Sequence, residues 1–402
     1  MRAYLRLLRT NRDFRLLYSG TLISLGGDWF LTVALFDLVL QLTGSATLVS
    51  VILLLQTLPI FLATPHAGAI VDRVDRRKLM IACDLARAVA CLLPLLARSP
   101  ALLPFAYAGV IVIAFGSAYF EPASQAALPN LVAPEDLATA NVLMGSTWGT
   151  MLAAGAAIGG AVTMLFGRDA SFLVDTASFL FSAFLLGRVR GAFAEPREAH
   201  HAHPPLGESI RETLSFARER PRILALLTVK GGYGLGAGVV AMLSVFGREV
   251  FRAGALGIGL LFAARGVGAL VGPFLLRALA ERDDARYRAI AYCVLLFGAG
   301  YASLALSHSL VTGLLSIFAA HLGGGAAWQL STYGLQREVP DFIRGRVFSA
   351  DYGFVTLTMA LSGLGVGIAS DHIGPTRATL SAATVCLAFA LTWGFSTRRC
   401  WR

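Results

Sequence analysis

Residues 47–71 read TLVSVILLLQTLPIFLATPHAGAIV and contain no Asp, Glu, Lys or Arg. As an α-helix, a stretch of this length extends about 37 Å, at about 1.5 Å per residue. That exceeds the roughly 30 Å hydrocarbon core of a bilayer. Inside the core no water is present to pair with backbone N–H and C=O groups, so a spanning segment must satisfy them within a helix. Residues 47–71 therefore predict a membrane-spanning helix.

Similar apolar runs occur along the whole chain of 402 residues, of which 56% are hydrophobic and only 14% are charged. Soluble domains carry about 25% charged residues, so the composition excludes an ordinary soluble protein. The alternating segments of about 10 residues that are typical of outer-membrane barrels are absent. We predict an all-α membrane protein with twelve transmembrane helices. They cover residues 17–41, 47–71, 78–97, 102–120, 139–166, 170–187, 222–246, 255–279, 287–306, 311–335, 347–370 and 376–396.

One long polar stretch, residues 188–217, separates the twelve predicted helices into two sets of six. We therefore expect an N-terminal six-helix bundle over residues 1–187, a cytoplasmic linker over 188–217 and a C-terminal six-helix bundle over 218–402. A weak internal echo supports a duplication, because LPNLVAPED at 128–136 and LQREVPD at 335–341 occupy matching places in the two halves. Two parallel repeats predict a pseudo-symmetric pair of bundles.

The distribution of positive charge predicts the orientation in the membrane. Of the 34 Lys and Arg residues, 26 lie on the side of the N-terminus, the linker and the C-terminus, five lie in the opposite loops and three lie within predicted helices. Loops rich in Lys and Arg stay in the cytoplasm. We expect a multi-pass protein of the plasma (inner) membrane with both termini cytoplasmic. The same rule accounts for the net charge of +10 without a nucleic-acid partner.

The sequence contains no pattern typical of a metal or nucleotide site. The five cysteines show no CxxC spacing, and no P-loop is present. Three histidines cluster in the linker, where a solvated connector is favoured over a metal site. We therefore expect no metal and no cofactor. These histidines are His200, His201 and His203.

The loop after the second predicted helix carries the most specific motif. Residues 68–78 read GAIVDRVDRRK and resemble the signature loop of the major facilitator superfamily, Gly-x-Leu-Ala-Asp-Arg-x-Gly-Arg-Arg, with Asp75 where that family usually has Gly. Asp72 ends a helix, where the helix dipole disfavours a carboxylate, so it requires a partner. The resemblance implies a conformational latch with a helix of the other half; the alternative is a basic turn that follows the charge rule. The latch would consist of Gly68, Asp72, Arg73, Arg76 and Arg77.

Further segments resemble the macrolide-efflux and enterobactin-exporter-like branch of this superfamily. They are NRDFRLL from residue 11, GGDW from 26, YFEPASQAALPNLV from 119 and the run from Arg337 to Phe348. Helix five contains Gly155, Gly159 and Gly160 in a pattern similar to the antiporter motif Gly-Pro-x-x-Gly-Gly, with Ala156 replacing Pro. That motif implies a bendable helix in exporters, while the alternative is small-residue packing between membrane helices.

Charges within predicted helices indicate functional sites, because burying one costs at least about 2.5–3.5 kcal/mol. Asp28 lies about 16 Å into the first helix, Arg265 is similarly deep in helix eight, and Lys230 lies about 12 Å into helix seven. We assign these three residues to substrate binding or proton coupling. The alternative is that Asp28 neutralises one of the two cations and holds the bundle together. Asp84 and Arg87 are one turn apart and can form an ion pair, which we favour over a proton relay.

Two further acidic residues, Asp37 and Asp175, lie nearer the external ends of their helices and predict interfacial positions. One feature argues against inherited proton-coupling machinery. No Lys or Arg occurs between Arg98 and Arg168, so helix four lacks the arginine that many proton-coupled exporters of the superfamily carry.

Together these features predict a secondary active transporter that is not an enzyme. It would export amphipathic small organic molecules, drug-like or siderophore-like, in exchange for protons by alternating access. Its partners would be this substrate, protons and the bilayer, and the protein would be a monomer. One alternative is an importer or facilitator of the same fold, and another is a receptor that does not transport. A membrane-embedded lipid-modifying enzyme is disfavoured because the histidines outside the linker (His66, His308, His321 and His372) lie singly on different helices or loops.

Overall fold

The computed structural model describes residues 2–193, 215–276, 283–339 and 341–401, and within these ranges the chain is helical and contains no β-strand. Twelve helical segments of the described chain are long and apolar enough to cross a membrane, which confirms the predicted all-α membrane fold. The helices are α1 Arg2–Thr10, α2 Arg12–Thr43, α3 Ala46–Arg73, α4 Arg76–Ala90, α5 Leu103–Leu131, α6 Leu137–Phe166, α7 Arg168–Arg188, α8 Pro221–Ala237, α9 Met242–Val245, α10 Gly254–Leu275, α11 Asp283–Ala305, α12 Leu310–Glu338, α13 Asp341–Ile373 and α14 Pro375–Ser396.

The largest difference from the predicted boundaries is in α5, which continues eleven residues beyond the predicted end at 120 and contains Pro122 and Pro129. A proline removes one backbone hydrogen bond, but neighbouring groups can satisfy the freed carbonyls within a membrane bundle. Here Asn11 Nδ2 donates to the carbonyl oxygen of Leu131 at 2.8 Å and completes the end of the helix. A tertiary contact therefore pairs the final carbonyl of a helix that local sequence signals would end earlier.

The seventh span also departs from the single helix predicted over 222–246. It runs from α8 through a 3₁₀ turn at Gly238–Ala241, then α9, then a π-turn at Phe246–Val250. The departure begins at Gly238, where a Cβ atom would lie 2.2 Å from Ser362 Oγ. The close approach of α13 requires glycine here, and glycine weakens the regular helix.

Contacts along the chain divide it into two compact units. The first comprises Met1–Gly44, Leu55–His200 and Gly254–Gly259, and the second comprises Ser45–Leu54, His201–Ala253 and Leu260–Arg402. In the second unit, the Asp371 carboxylate accepts hydrogen bonds from the backbone N–H groups of Ala46 at 2.7 Å and Thr47 at 3.1 Å. These bonds cap the first turn of α3. Most of the predicted linker, 194–214, lies outside the described residues.

In the first unit, α6 packs backbone to backbone against α2 through the glycines of the predicted helix-five motif. A Cβ atom at Gly159 would lie 2.9 Å from Phe30 Cα, and one at Gly155 would lie 3.1 Å from the carbonyl oxygen of Gly26. A Cβ atom at Gly160 would lie 2.7 Å from the carbonyl oxygen of Ala255. All three glycines therefore permit close helix contacts.

We expect Gly159→Ala to lower the free energy of unfolding by about 1–3 kcal/mol, because backbone atoms cannot move aside as a flexible side chain can. The matched control is Gly145→Ala on the same helix, where an added Cβ would meet no atom within 4 Å. Thermal unfolding of the detergent-solubilised variants measures the difference. Equal melting temperatures for the two variants would show that the α2–α6 contact does not depend on glycine.

Candidate transport site

Several charged side chains within the membrane spans form one cluster in each compact unit. The N-terminal acidic cluster consists of Asp28 on α2, Asp84 and Arg87 on α4, and Asp175 on α7. The C-terminal ion-pair cluster consists of Lys230 on α8, Trp328 and Thr332 on α12, and Asp351 on α13.

Arg87 is held firmly within the N-terminal acidic cluster. Its Nη2 atom donates to Asp84 Oδ1, and both side chains are buried. The guanidinium carbon lies 4.4 Å from the ring centre of Phe120 and 4.3 Å from that of Phe179. Such contacts with the faces of aromatic rings are favourable for a cation, especially away from water. Arg87 therefore has fixed partners, and Asp84 is its counter-ion.

Asp175 on α7 is completely buried among its neighbouring helices. Its carboxyl group contacts Cys91 Sγ at 3.1 Å and Ser178 Oγ at 3.1 Å. The predicted interfacial position concerns depth in the membrane and stays a prediction for Asp175. Residues of α2 and of the end of α4 cover its side chain.

Asp28 lies beside Asp175 at the contact between α2 and α7. A Cβ atom on the adjacent Gly27 would lie 2.3 Å from Asp175 Oδ1, so glycine is needed for the carboxyl group of Asp175 to reach α2. Asp28 interacts electrostatically with Asp84 and Arg87, and its side chain remains partly accessible. Asp28 is therefore the one member of the cluster that is not fully buried.

In the second unit, Lys230 pairs with a residue that the sequence analysis did not single out. Lys230 Nζ donates to Asp351 Oδ2, and both side chains are only 3% exposed. Nζ also donates to Thr332 Oγ1 at 3.0 Å and lies 4.6 Å from the ring centre of Trp328. Asp351 is thus the direct counter-ion of Lys230, a role that the sequence analysis had considered for Asp28.

Arg265 on α10 is buried next to a group of aromatic side chains in the same unit. It interacts with the Tyr233 hydroxyl and, electrostatically, with Tyr301 and His321. Tyr301 Oη and His321 Nε2 lie 2.9 Å apart in a hydrogen bond. Tyr233 extends this group toward the ion pair, because its ring contacts Trp328 edge-on at 5.4 Å.

Two arginines of the predicted latch loop bind main-chain carbonyls of the first unit. Arg76 Nη1 donates to Ala126 at 2.9 Å and Phe193 at 3.1 Å. Arg77 donates to the carbonyls of Leu186 and Gly187, at the end of α7 where the helix dipole favours a cation. Asp75 accepts from the Lys78 backbone N–H at 3.0 Å and caps α4, which explains how this loop accommodates Asp.

The remaining loop residues of the predicted latch are Gly68, Asp72 and Arg73. Their side chains lie outside the described part of the structure, so the latch remains a prediction.

The sequence analysis missed Asp351, which lies 121 residues from Lys230 along the chain. Asp351 lies about one turn inside the predicted helix 347–370. A charged residue this close to a helix end is no more unusual than one in a loop. Lys230 within an apolar run did indicate that a carboxylate partner exists, because a buried lysine requires one. Its partner could not be chosen from one sequence, because no spacing rule links α8 to α13.

The two clusters differ in charge. The N-terminal acidic cluster contains three carboxyl groups and one guanidinium, and such an excess of acids in a low-dielectric region favours bound protons or a bound cation. In the described residues, no group of His, Cys, Asp and Glu has the arrangement of a metal site. The chemistry available in these clusters is thus proton binding, ion pairing and aromatic contact.

Comparison with known proteins places this chain among membrane transporters. Residues 7–399 match the family model MFS_3, transmembrane secretion effector. The chain is 24% identical to macrolide efflux protein A of Streptococcus pyogenes, over 94% of each chain. It is 28% identical to the multidrug efflux pump Tap of Mycolicibacterium fortuitum, over 84% of each chain.

The fold is also that of solved transporters. The structure superposes with a TM-score of 0.76 on a bacterial homologue of the human lysosomal transporter Spinster, at 16% identity and over 97% of both chains. The match to the family model covers nearly the whole chain. This protein therefore belongs to the transmembrane secretion effector family of the major facilitator superfamily and is a multi-pass membrane transporter.

Proposed function

We propose that this transporter exports amphipathic small organic molecules and takes up protons in exchange. The observation that carries the proposal is the N-terminal acidic cluster, in which three carboxyl groups accompany one guanidinium inside the membrane span. Arg87 is already bound to Asp84. The other two carboxyl groups, Asp28 and Asp175, can reduce the electrostatic penalty of burial by binding protons. Because part of the surface of Asp28 is accessible, we assign the exchange of protons to this residue.

Efflux relatives support the direction and the type of substrate. Two relatives are named for macrolide efflux and for multidrug efflux. The aromatic side chains around Lys230 and Arg265 offer stacking and cation–π contacts to an amphipathic molecule. Candidate substrates are therefore drug-like or siderophore-like molecules that combine an aromatic or apolar body with a charged group.

Transport into inside-out membrane vesicles tests this function. We expect vesicles with an acidic interior to accumulate a labelled macrolide or an amphipathic dye, and a protonophore to abolish that accumulation. Vesicles without the protein provide the control. Equilibration without accumulation would contradict proton coupling and favour a facilitator. Accumulation only in right-side-out vesicles would favour an importer.

The distribution of Lys and Arg supports cytoplasmic termini on both ends. Reporter fusions after each span test this orientation: a phosphatase that is active only outside the cytoplasm should be inactive when fused after Ser396, at the end of α14. High phosphatase activity at that position would place the C-terminus outside the cytoplasm and would contradict the predicted orientation.

The latch loop leads to a prediction about Asp72, which lies in the last turn of α3. We expect Asp72→Asn to impair transport strongly while the protein stays folded and inserted, because the neutral side chain can no longer attract the state-dependent partner that the carboxylate requires at this helix end. The matched control is Asp75→Asn in the same loop, since Asn caps a helix as well as Asp does. Transport rates at equal membrane expression measure both. Unimpaired transport by Asp72→Asn would leave only the basic-turn interpretation.

A further inference from the structure

The surroundings of Asp175 contain two weak neutral hydrogen-bond donors and no direct ionic partner. Among the described residues, no Lys or Arg forms a salt bridge with this carboxyl group. Its two contacts are the thiol of Cys91 and the hydroxyl of Ser178, each at 3.1 Å. An ionised carboxylate with no exposed surface would need stronger donors than these.

The hydroxyl of Ser178 lies 2.8 Å from the backbone carbonyl oxygen of Asp175 and 3.1 Å from Oδ1 of the same residue. A hydroxyl group has one hydrogen and two lone pairs, and a carbonyl oxygen can only accept. The shorter contact therefore takes the hydroxyl hydrogen. The longer contact is complete when Oδ1 carries a hydrogen and donates it to a lone pair of Ser178 Oγ.

The other oxygen, Oδ2, accepts from the Cys91 thiol and matches the carbonyl oxygen of a neutral carboxylic acid. In this arrangement every hydrogen of the three groups has an acceptor. The neutral acid is therefore satisfied at both oxygens, while the ionised form would share one hydroxyl hydrogen between two acceptors.

Nearby charges favour the same state. The ionisable groups that face Asp175 are Asp28 from α2, Arg87 from α4 and Cys91, the residue directly after α4. Helix α6, which also packs on α7, carries no ionisable side chain. Arg87 is engaged by Asp84, and a second carboxyl group such as Asp28 disfavours ionisation of its neighbour.

We propose that Asp175 is a second proton-binding site of the N-terminal acidic cluster and holds a proton on Oδ1 at neutral pH, between Ser178 and Cys91. This site is distinct from its neighbour Asp28, which has accessible surface and exchanges its proton in the proposed function. The proton on Asp175 removes one negative charge from the cluster. Asp28 can then release and bind its proton next to a neutral carboxylic acid, not next to a second carboxylate.

Infrared spectroscopy of the intact protein in lipid nanodiscs at neutral pH tests the site directly. We expect a C=O absorption band of a protonated carboxyl group that disappears in Asp175→Asn and remains in Asp28→Asn. Cys91→Ala should shift this band to higher wavenumber without removing it, because the carbonyl oxygen loses its donor. Asp169→Asn, which changes an exposed carboxylate, should leave the band unchanged.

A wild-type spectrum that matches the Asp175→Asn spectrum in the carboxylic-acid region would mean that Asp175 is ionised and would overturn the proposal. If Asp175→Asn does not fold, Cys91→Ala still decides, since an unshifted band would exclude Asp175 as its source. These spectra are recorded without transport. An absence of proton-coupled accumulation in the vesicle assay would thus refute the proposed function. The proton on Asp175 would still be tested separately by the infrared band.

Discussion

Asp28→Asn is expected to abolish accumulation of substrate driven by a pH gradient while leaving exchange of substrate across the membrane intact. Asparagine has nearly the shape of a neutral aspartic acid but cannot release a proton. A transporter fixed in this state can still bind cargo and change conformation with cargo bound. It cannot return the proton that links the two gradients. The expected loss is therefore complete for accumulation and small for exchange.

Two assays on the same proteoliposomes separate these effects. Uptake against a gradient at fixed pH difference measures coupling, and counterflow of labelled against unlabelled substrate at equal pH measures exchange. Asp37→Asn is the matched control, because Asp37 is buried on the same helix nine residues away. That spacing places it about half a turn around the helix from Asp28. Wild-type accumulation and pH dependence in Asp28→Asn would exclude Asp28 as the coupling residue.

The fold was predictable because the bilayer imposes the same rule on every span. Apolar runs such as residues 47–71 have one structural solution in hydrocarbon, and α3 indeed covers Ala46–Arg73. Prediction failed where tertiary contacts override local signals. Helix α5 passes through Pro122 and Pro129, and no local pattern reveals that Asn11 completes its end.

The candidate residues could be chosen from the sequence only one at a time. Charged residues inside apolar runs stand out individually, so Asp28, Lys230 and Arg265 were singled out as candidates. Their partners depend on which helix faces are adjacent, and a single sequence does not contain that information. Asp351 was missed for this reason, and the burial of Asp175 could not be inferred from its depth along α7.

The buried ion pair of Lys230 and Asp351 gives the second large expected effect, on stability. Lys230→Met should destabilise the protein by about 3–5 kcal/mol, because it leaves the Asp351 carboxylate buried without a counter-ion. Asp351→Asn should have a similar effect by isolating the ammonium group. The double variant Lys230→Met/Asp351→Asn contains no buried charge at this place and should recover most of the lost stability.

The double-mutant cycle compares the wild type, the two single variants and the double variant. Their thermal unfolding in detergent is measured by size-exclusion chromatography after heating. The comparison within the same chain is the exposed pair of Arg98 and Asp169, with side chains 61% and 48% accessible. Asp169→Asn should change stability by less than about 1 kcal/mol, because exposed pairs contribute little. Additive losses in the double variant would show that Lys230 and Asp351 do not stabilise each other. The double variant keeps the packing and lacks only the two charges. If it recovers stability but not transport, the charges of the pair are needed for substrate binding.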